Sequence, residues 1–122
     1  MADKTVIVKV AIMTKPRSYS ALAREAAHLL GKEIKLARKQ RKWSETELAT
    51  RAGISRDTLQ KIEKGNMTSA IGLVFEAASL VGINLFEAET SPLRRQIREA
   101  DDRIALLPKS IHKPKKAVDD DF

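Results

Sequence analysis

A short run of long polar side chains in this sequence has the types and spacing needed to recognise base edges in DNA. Arginine and lysine match the O6 and N7 acceptors of guanine, glutamine matches adenine, and a carboxylate can accept from cytosine or hold a neighbouring arginine in position. These side chains share one side of a predicted helix, whose other side carries Leu59 and Ile62. The residues of the run are Arg56, Asp57, Gln60 and Lys61.

The local sequence predicts two short helices that position this run. Ser44, with Glu47 three residues later, predicts a capping box at the start of the first, and Gly53 predicts its end. Ser55 predicts the cap of the second, which runs over Arg56–Lys64 and ends at Gly65. Two such helices joined by a tight turn cross steeply, so the first braces the second.

Three further helices are predicted around this pair. The first begins after Ser18 or Ser20 and runs to about Lys42, with Gly31 marking a joint or a close crossing. The fourth covers residues 70–81 and is apolar enough to be buried on all sides. The fifth begins at Ser91-Pro92 and ends before Pro108.

Helical periodicity also predicts which residues face inward. In the first helix they are Leu22, Ala26, Leu29 or Leu30, Ile34 and Ala37, and the core elsewhere includes Leu59, Ile62, Leu73, Phe75 and Leu80. The fifth helix carries a stripe that would dock on the domain or on a twin subunit. The stripe consists of Leu93, Ile97, Ala100, Ile104 and Leu107.

The two ends of the chain differ from this helical region. Alternating residues over Thr5–Ala11 predict a strand, and a lone strand needs a partner, for which the same strand of a second subunit is the simplest candidate. Residues 109–122 are polar and predict an extended tail. We therefore divide the chain into an arm at 1–20, a domain at 21–90, a helix at 91–108 and the tail at 109–122.

Charge and composition limit the classes of function. Residues 21–42 hold seven Lys or Arg and two acids, +5 of the chain's net +7, which indicates a polyanionic partner. There is no cysteine, no cluster of metal ligands, no glycine-rich phosphate loop and no nucleophile–base pairing, so we expect neither an enzyme nor a cofactor. No export signal or membrane span is evident, and a cytoplasmic location is expected.

The order of these signals resembles a known family. The stretch WSETELATRAGISRDTLQKIEKGNMTSAIGLVFEAASLVGINLF is similar to the helix-turn-helix domain of the Xre, or phage-repressor, family over about residues 30–86. The resemblance implies an all-α, λ-repressor-like bundle of about five helices, here with a short N-terminal strand paired between subunits. It also implies a homodimer on palindromic operator DNA.

The resemblance assigns roles to individual residues. Positions matching Ser55, Arg56, Asp57 and Lys61 meet base edges in that family, to which the pattern above adds Gln60. Phosphates are met at Ser44, Lys64 and Asn66, and we add Thr58 as a phosphate contact. Glu45 departs from the family, where a glutamine often bonds a phosphate, and the basic first helix supplies candidates to compensate: Arg38, Arg41 and Lys42.

The C-terminal end supports a narrower resemblance. Leu106-Leu107-Pro108 followed by an acidic tail with a terminal aromatic is similar to antitoxins of the HipB type, which repress their own operon and bind a HipA-like serine/threonine kinase toxin. This implies a partner-binding segment at Val118, Asp119, Asp120, Asp121 and Phe122. The alternative is a stand-alone repressor of the same family without a toxin partner. By the resemblance to HipB-type antitoxins, either the N-terminal strand or the helix at 93–107 would form the homodimer.

Overall fold

The computed structural model of the protein describes residues 17–111 and residue 113. These residues form five α-helices, which we number α1 to α5, and one 3-10 turn at Leu85–Glu87. The helices are α1 (Ala21–Gln40), α2 (Glu45–Ala52), α3 (Arg56–Glu63), α4 (Ile71–Leu80) and α5 (Leu93–Ala105). The prediction of a bundle of about five helices is confirmed. The strand predicted at 5–11 lies outside the described residues.

The described part of the chain divides into two compact units, with the boundary between Ile83 and Asn84. In the first, α2 packs on α3 and α4, and α1 packs on the same two helices. The core between them is aliphatic, and Ile34, Leu48 and Leu59 are completely buried. Burial of such side chains stabilises the fold by roughly 1.5–3 kcal/mol each.

The inward face of α1 differs in part from the prediction. Ile34 is buried and Leu30 is half-buried, whereas Leu22 and Leu29 are mostly exposed. Of the two leucines offered for one position, Leu30 therefore faces the core. The helix also ends at Gln40 and not near Lys42, because Lys42 adopts the left-handed conformation with φ 61°.

The prediction that α4 is buried on all sides is wrong. Ala77 and Ala78 are fully buried, but Ile71 is 69% and Leu73 37% exposed. Among the described helices, α1 and α2 make the main contacts with α4, so its small residues are buried on their side and its first turn stays exposed. The predicted core residues Phe75 and Leu80 are half-buried.

The second unit contains the turn at Leu85–Glu87 and α5. Gln96 donates to the carbonyl oxygens of Phe86 (2.8 Å) and Ser91 (2.9 Å) and so holds the turn against the start of the helix. The helix ends at Ala105, before the predicted Leu107. Every residue from Pro92 to Ile111 except Gln96 is exposed.

Candidate nucleic-acid interface

The α2–α3 pair is built by three local signals that the sequence shows. The Ser44 side chain accepts from the Glu47 N–H at 3.1 Å and begins α2, and Gly53 ends it with φ 70°. Ser55 then accepts from the Thr58 N–H at 3.0 Å and begins α3. The capping box at Ser44 is only half formed, because the Glu47 carboxylate lies 3.9 Å from Arg51 instead of closing it.

The exposed face of α3 carries the residues predicted to recognise bases. Arg56, Asp57 and Lys61 are exposed and Gln60 is half-buried, while Leu59 behind them is buried. One face of a rigidly packed helix thus brings four polar side chains together. The Lys61 ammonium lies 3.2 Å from the Asp57 carboxylate, one turn away, as an exposed pair of small energetic value.

Glu45, the first residue of α2, contacts the start of α3. Its carboxylate lies 3.4 Å from the guanidinium of Arg56. The pKa of Glu45 is lowered below its ordinary 4.5. The largest cause is the hydrogen bond from Gln60, followed by the hydrogen bond and charge of Arg56 and the charge of Arg38. Glu45 is the residue that departs from the family pattern, and its negative charge is therefore paired with Arg56 within the protein. In this structure Glu45 contacts one nitrogen of the Arg56 guanidinium, whose other N–H donors remain available for further acceptors.

Two predicted contact residues, Ser55 and Thr58, also bond each other. Their hydroxyl oxygens lie 2.8 Å apart at the start of α3. Ser55 is exposed and Thr58 is half-buried. The positive end of the helix dipole lies at these residues, which favours a phosphate oxygen.

Arg38 is not on the surface, which corrects the expectation that it compensates for Glu45 at a phosphate. It is 5% exposed and pairs in two points with the 6% exposed Glu63, at 2.7 and 3.0 Å. It also donates to the Trp43 carbonyl oxygen at 2.9 Å. The bond with Glu63 raises the pKa of the Arg38 guanidinium, which stays charged. Its role is to join α1 to α3.

The other predicted phosphate residues lie at the surface. Arg41 donates to the Val81 carbonyl oxygen at 3.1 Å and lies 5.3 Å from the centre of the Trp43 ring, on whose face Arg51 also stacks. Lys42 is exposed in the loop before α2. Trp43 itself lies between α1 and α2, at the junction of the two helices.

Lys64 and Asn66 follow α3 directly, and both are exposed. The Asn66 side-chain oxygen accepts from the N–H and the hydroxyl of Thr68, at 2.8 and 2.7 Å. This bond orients the amide and fixes the turn after α3. Ser44, Lys64 and Asn66 thus lie at the ends of α2 and α3, where N–H groups and cations meet phosphates in other helix-turn-helix contacts.

Sequence reasoning missed a basic cleft between α1 and α3. His28, Lys32 and Lys35 of α1 line it together with Gln60 and Lys64, and its volume is about 230 Å³. Glu45 and Glu63 also line it. The charge count of residues 21–42 was the available signal, but it could not tell Lys32 and Lys35, which line this cleft, from the buried Arg38.

Backbone contacts hold the end of α3 against α1. A methyl group on Gly31 would lie 2.5 Å from the Ile62 carbonyl oxygen and 2.7 Å from that of Glu63. A methyl group on Gly65 would lie 2.7 Å from the His28 Cα. Such distances are shorter than side chains tolerate, so of the two readings given for Gly31 the close crossing is correct.

The partner-binding segment predicted at 118–122 lies outside the described residues. Within residues 17–111 and 113, no group of side chains could hold a metal ion. No helix in that part of the chain is long and apolar enough to cross a membrane.

Comparison with known proteins agrees with this geometry. Residues 34–87 match a family model described as helix-turn-helix, a segment that begins within α1 and contains α2, α3 and α4. A search of curated proteins found no match, and a search of solved structures found none. The match supports the resemblance to Xre-type helix-turn-helix DNA-binding regulators.

Proposed function

We propose that the protein is a sequence-specific DNA-binding transcriptional repressor that inserts α3 into the major groove. The observation that carries the proposal is the division of α3 into two faces. Leu59 and Ile62 anchor it in the core, while Arg56, Asp57 and Lys61 project outward. A helix fits the major groove, and side chains of these types distinguish base pairs there.

Phosphate contacts on both sides of α3 would fix its register. On one side lie Ser44 and the start of α2, and on the other Lys64 and Asn66. Arg41, Lys42 and Thr58 remain candidates at the surface, and the cleft at Lys32 and Lys35 extends the positive region along α1. Contacts of this kind supply sequence-independent affinity and make it fall with salt.

Two substitutions test the groove assignment by fluorescence anisotropy with DNA selected for binding from a random library. Arg56→Ala should cost roughly 1–3 kcal/mol and relax the preference at one base position. Lys64→Ala should weaken all sequences alike and lower the slope of log affinity against log salt by about one. Arg95→Ala removes the same charge from α5, so it is the matched control. Wild-type affinity and preference in both variants would reject the assignment.

Within this function we propose that the protein acts as the antitoxin of a HipBA-like pair, binding a HipA-like kinase and repressing its own operon from the cytoplasm as a homodimer on a palindromic operator. The support is the sequence similarity at Leu106–Pro108 and at Val118–Phe122. A terminal aromatic beside three acids suits an apolar pocket with a basic rim.

The alternative is a stand-alone repressor, and the tail discriminates between the two. A chain lacking Val118–Phe122 should bind its operator normally and lose the kinase encoded beside it in a pull-down. A variant with Phe122→Ala alone should lose most of that recovery, since the aromatic is the expected anchor. Equal recovery of the kinase by all three proteins would remove the tail as support for the antitoxin proposal, and recovery by none of them would favour the stand-alone repressor.

A further inference from the structure

The cleft between α1 and α3 concentrates positive charge beside the outward face of α3. Lys32 and Lys35 line it from α1, and Lys64 lines it from the end of α3. All three residues are exposed, and none of them makes an ion pair within residues 17–111 and 113. Three ammonium groups around one concave space therefore receive no counter-charge from the part of the chain that the structure describes.

The two acids that line the cleft do not supply this counter-charge, because each is already paired with an arginine. Glu63 is buried and accepts two hydrogen bonds from Arg38, at 2.7 and 3.0 Å. The Glu45 carboxylate lies 3.4 Å from the Arg56 guanidinium. Since each of these pairs is neutral as a whole, the three lysines keep the cleft positive.

Main-chain contacts hold the two walls of the cleft at a fixed separation. A methyl group on Gly31 would lie 2.5 Å from a carbonyl oxygen of α3, so α1 and the end of α3 touch through their backbones. Gly65 makes a similar approach to the backbone of His28, which itself lines the cleft. The helix positions that carry the cations are thus set before a ligand arrives, and such preorganisation favours binding.

The charge and the size of the cleft together indicate the class of ligand. A phosphate monoester carries about −1.5 to −2 charge at neutral pH and three strong acceptor oxygens, whereas a carboxylate carries a single charge. The volume of the cleft, about 230 Å³, is below the roughly 300–1,000 Å³ of sites that enclose drug-sized molecules. The cleft therefore suits one or two linked phosphate groups, with the rest of a larger ligand left outside.

We propose that this cleft is a phosphate-binding site that takes a small phosphorylated ligand from solution, in competition with the DNA backbone. Gln60 and Lys64 belong both to the cleft and to the predicted DNA contacts, so the two sources of phosphate meet the same groups. An occupied cleft would place negative charge beside an approaching duplex and lower its affinity. Binding of the free ligand needs no DNA, whereas the competition rests on the function proposed above.

Inorganic pyrophosphate, which presents two linked phosphate groups, is the probe for the free ligand. The full chain is titrated without DNA, and its amide resonances are followed by nuclear magnetic resonance, with sodium chloride at equal ionic strength as the control. The proposal predicts saturable shifts at residues 28–35 and 60–65. No shift there, or the same shifts with chloride, would overturn it.

Two substitutions locate the site. Lys32→Gln and Lys35→Gln should each weaken pyrophosphate binding about threefold, and the double variant about tenfold, because each removes one exposed cation from the cleft. Lys39→Gln removes the same charge from α1 at an exposed residue that does not line the cleft, so this matched control should bind as the wild type does. An equal loss in Lys39→Gln, or no loss in the double variant, would show that the cleft is not the site.

Fluorescence anisotropy with the selected DNA separates the two sources of phosphate. At constant ionic strength, saturating pyrophosphate should weaken DNA binding by the wild type about threefold or more and should affect the double variant much less. If the double variant lowers the salt slope of DNA binding while pyrophosphate shifts no resonance, the cleft takes backbone phosphates alone and the free-ligand proposal is wrong. If pyrophosphate binds but DNA affinity stays constant, the competition is wrong. Either result differs from a failure of the α3 assignment, which Arg56→Ala reports separately.

Discussion

The buried ion pair between Arg38 and Glu63 gives the sharpest test of how α3 is held. Both side chains are nearly excluded from solvent, and two hydrogen bonds of 2.7 and 3.0 Å join them. The change Glu63→Gln preserves size and one oxygen acceptor but removes the negative charge. The guanidinium of Arg38 then remains buried and charged, with the Trp43 carbonyl oxygen as its other acceptor.

The magnitude follows from the burial of the pair. Removing one partner of a buried ion pair costs about 3–5 kcal/mol, because the remaining charge is uncompensated. Since glutamine keeps one acceptor, we expect a loss near the lower limit, about 3 kcal/mol. That is a large part of the roughly 5–15 kcal/mol by which folded domains are typically stable. Glu47→Gln is the matched control, because its partner Arg51 is 3.9 Å away and exposed, and it should cost less than about 0.5 kcal/mol.

Urea unfolding followed by tryptophan fluorescence is the assay, since Trp43 is the single tryptophan and lies at the junction of α1 and α2. The double variant Arg38→Met, Glu63→Leu should lose less stability than Glu63→Gln alone, because no buried charge is left without a partner. A loss below about 1 kcal/mol in Glu63→Gln, or a double variant worse than the single one, would refute the reasoning.

Three further changes have expected outcomes. Gly31→Ala should destabilise by about 1–3 kcal/mol in the same assay, despite the better helix propensity of alanine, because its methyl group meets backbone carbonyl oxygens of α3 at 2.5 and 2.7 Å. Lys42→Gly should raise stability by up to about 1 kcal/mol, since glycine adopts φ 61° without strain; equal stability would show that the turn is unstrained. Gln60 and Arg56 lower the pKa of Glu45, so its ionised form stabilises the fold above pH 4.5, and that contribution is lost as the pH falls through the lowered pKa. The urea midpoints of the wild type and Glu45→Gln should therefore differ at neutral pH and converge in acid, and a difference that persists unchanged in acid would contradict this.

Local signals predicted most of the fold. As predicted, α1, α2 and α3 are capped by Ser20, Ser44 and Ser55. Gly53 ends α2 in the left-handed conformation, and Pro92 precedes α5. Each of these depends on bonds within a few residues, which is why a single sequence reveals them. The polar face of α3 followed from periodicity in the same way.

Features that depend on distant residues were not predictable. Arg38 looked like one more cation of a basic helix, and only its approach to Glu63, 25 residues later, makes it an internal residue. The composition of α4 indicated full burial, but the number of neighbours that a helix has is a tertiary property, and Ile71 has too few to be covered. The contact between Glu45 and Arg56 was not predictable either, because it depends on how α2 packs against α3.

The close contacts of Gly31 and Gly65 between α1 and the end of α3 have a consequence for which substitutions in α3 the fold tolerates. Main-chain atoms set the separation there, so the pose of α3 depends little on which side chains it displays outward. Under the proposed function, replacement of Arg56, Asp57 or Lys61 would alter the DNA sequence that is preferred while the scaffold beneath stays in place. Replacement of Gly31 or Gly65 would shift the whole helix and disturb every contact at once.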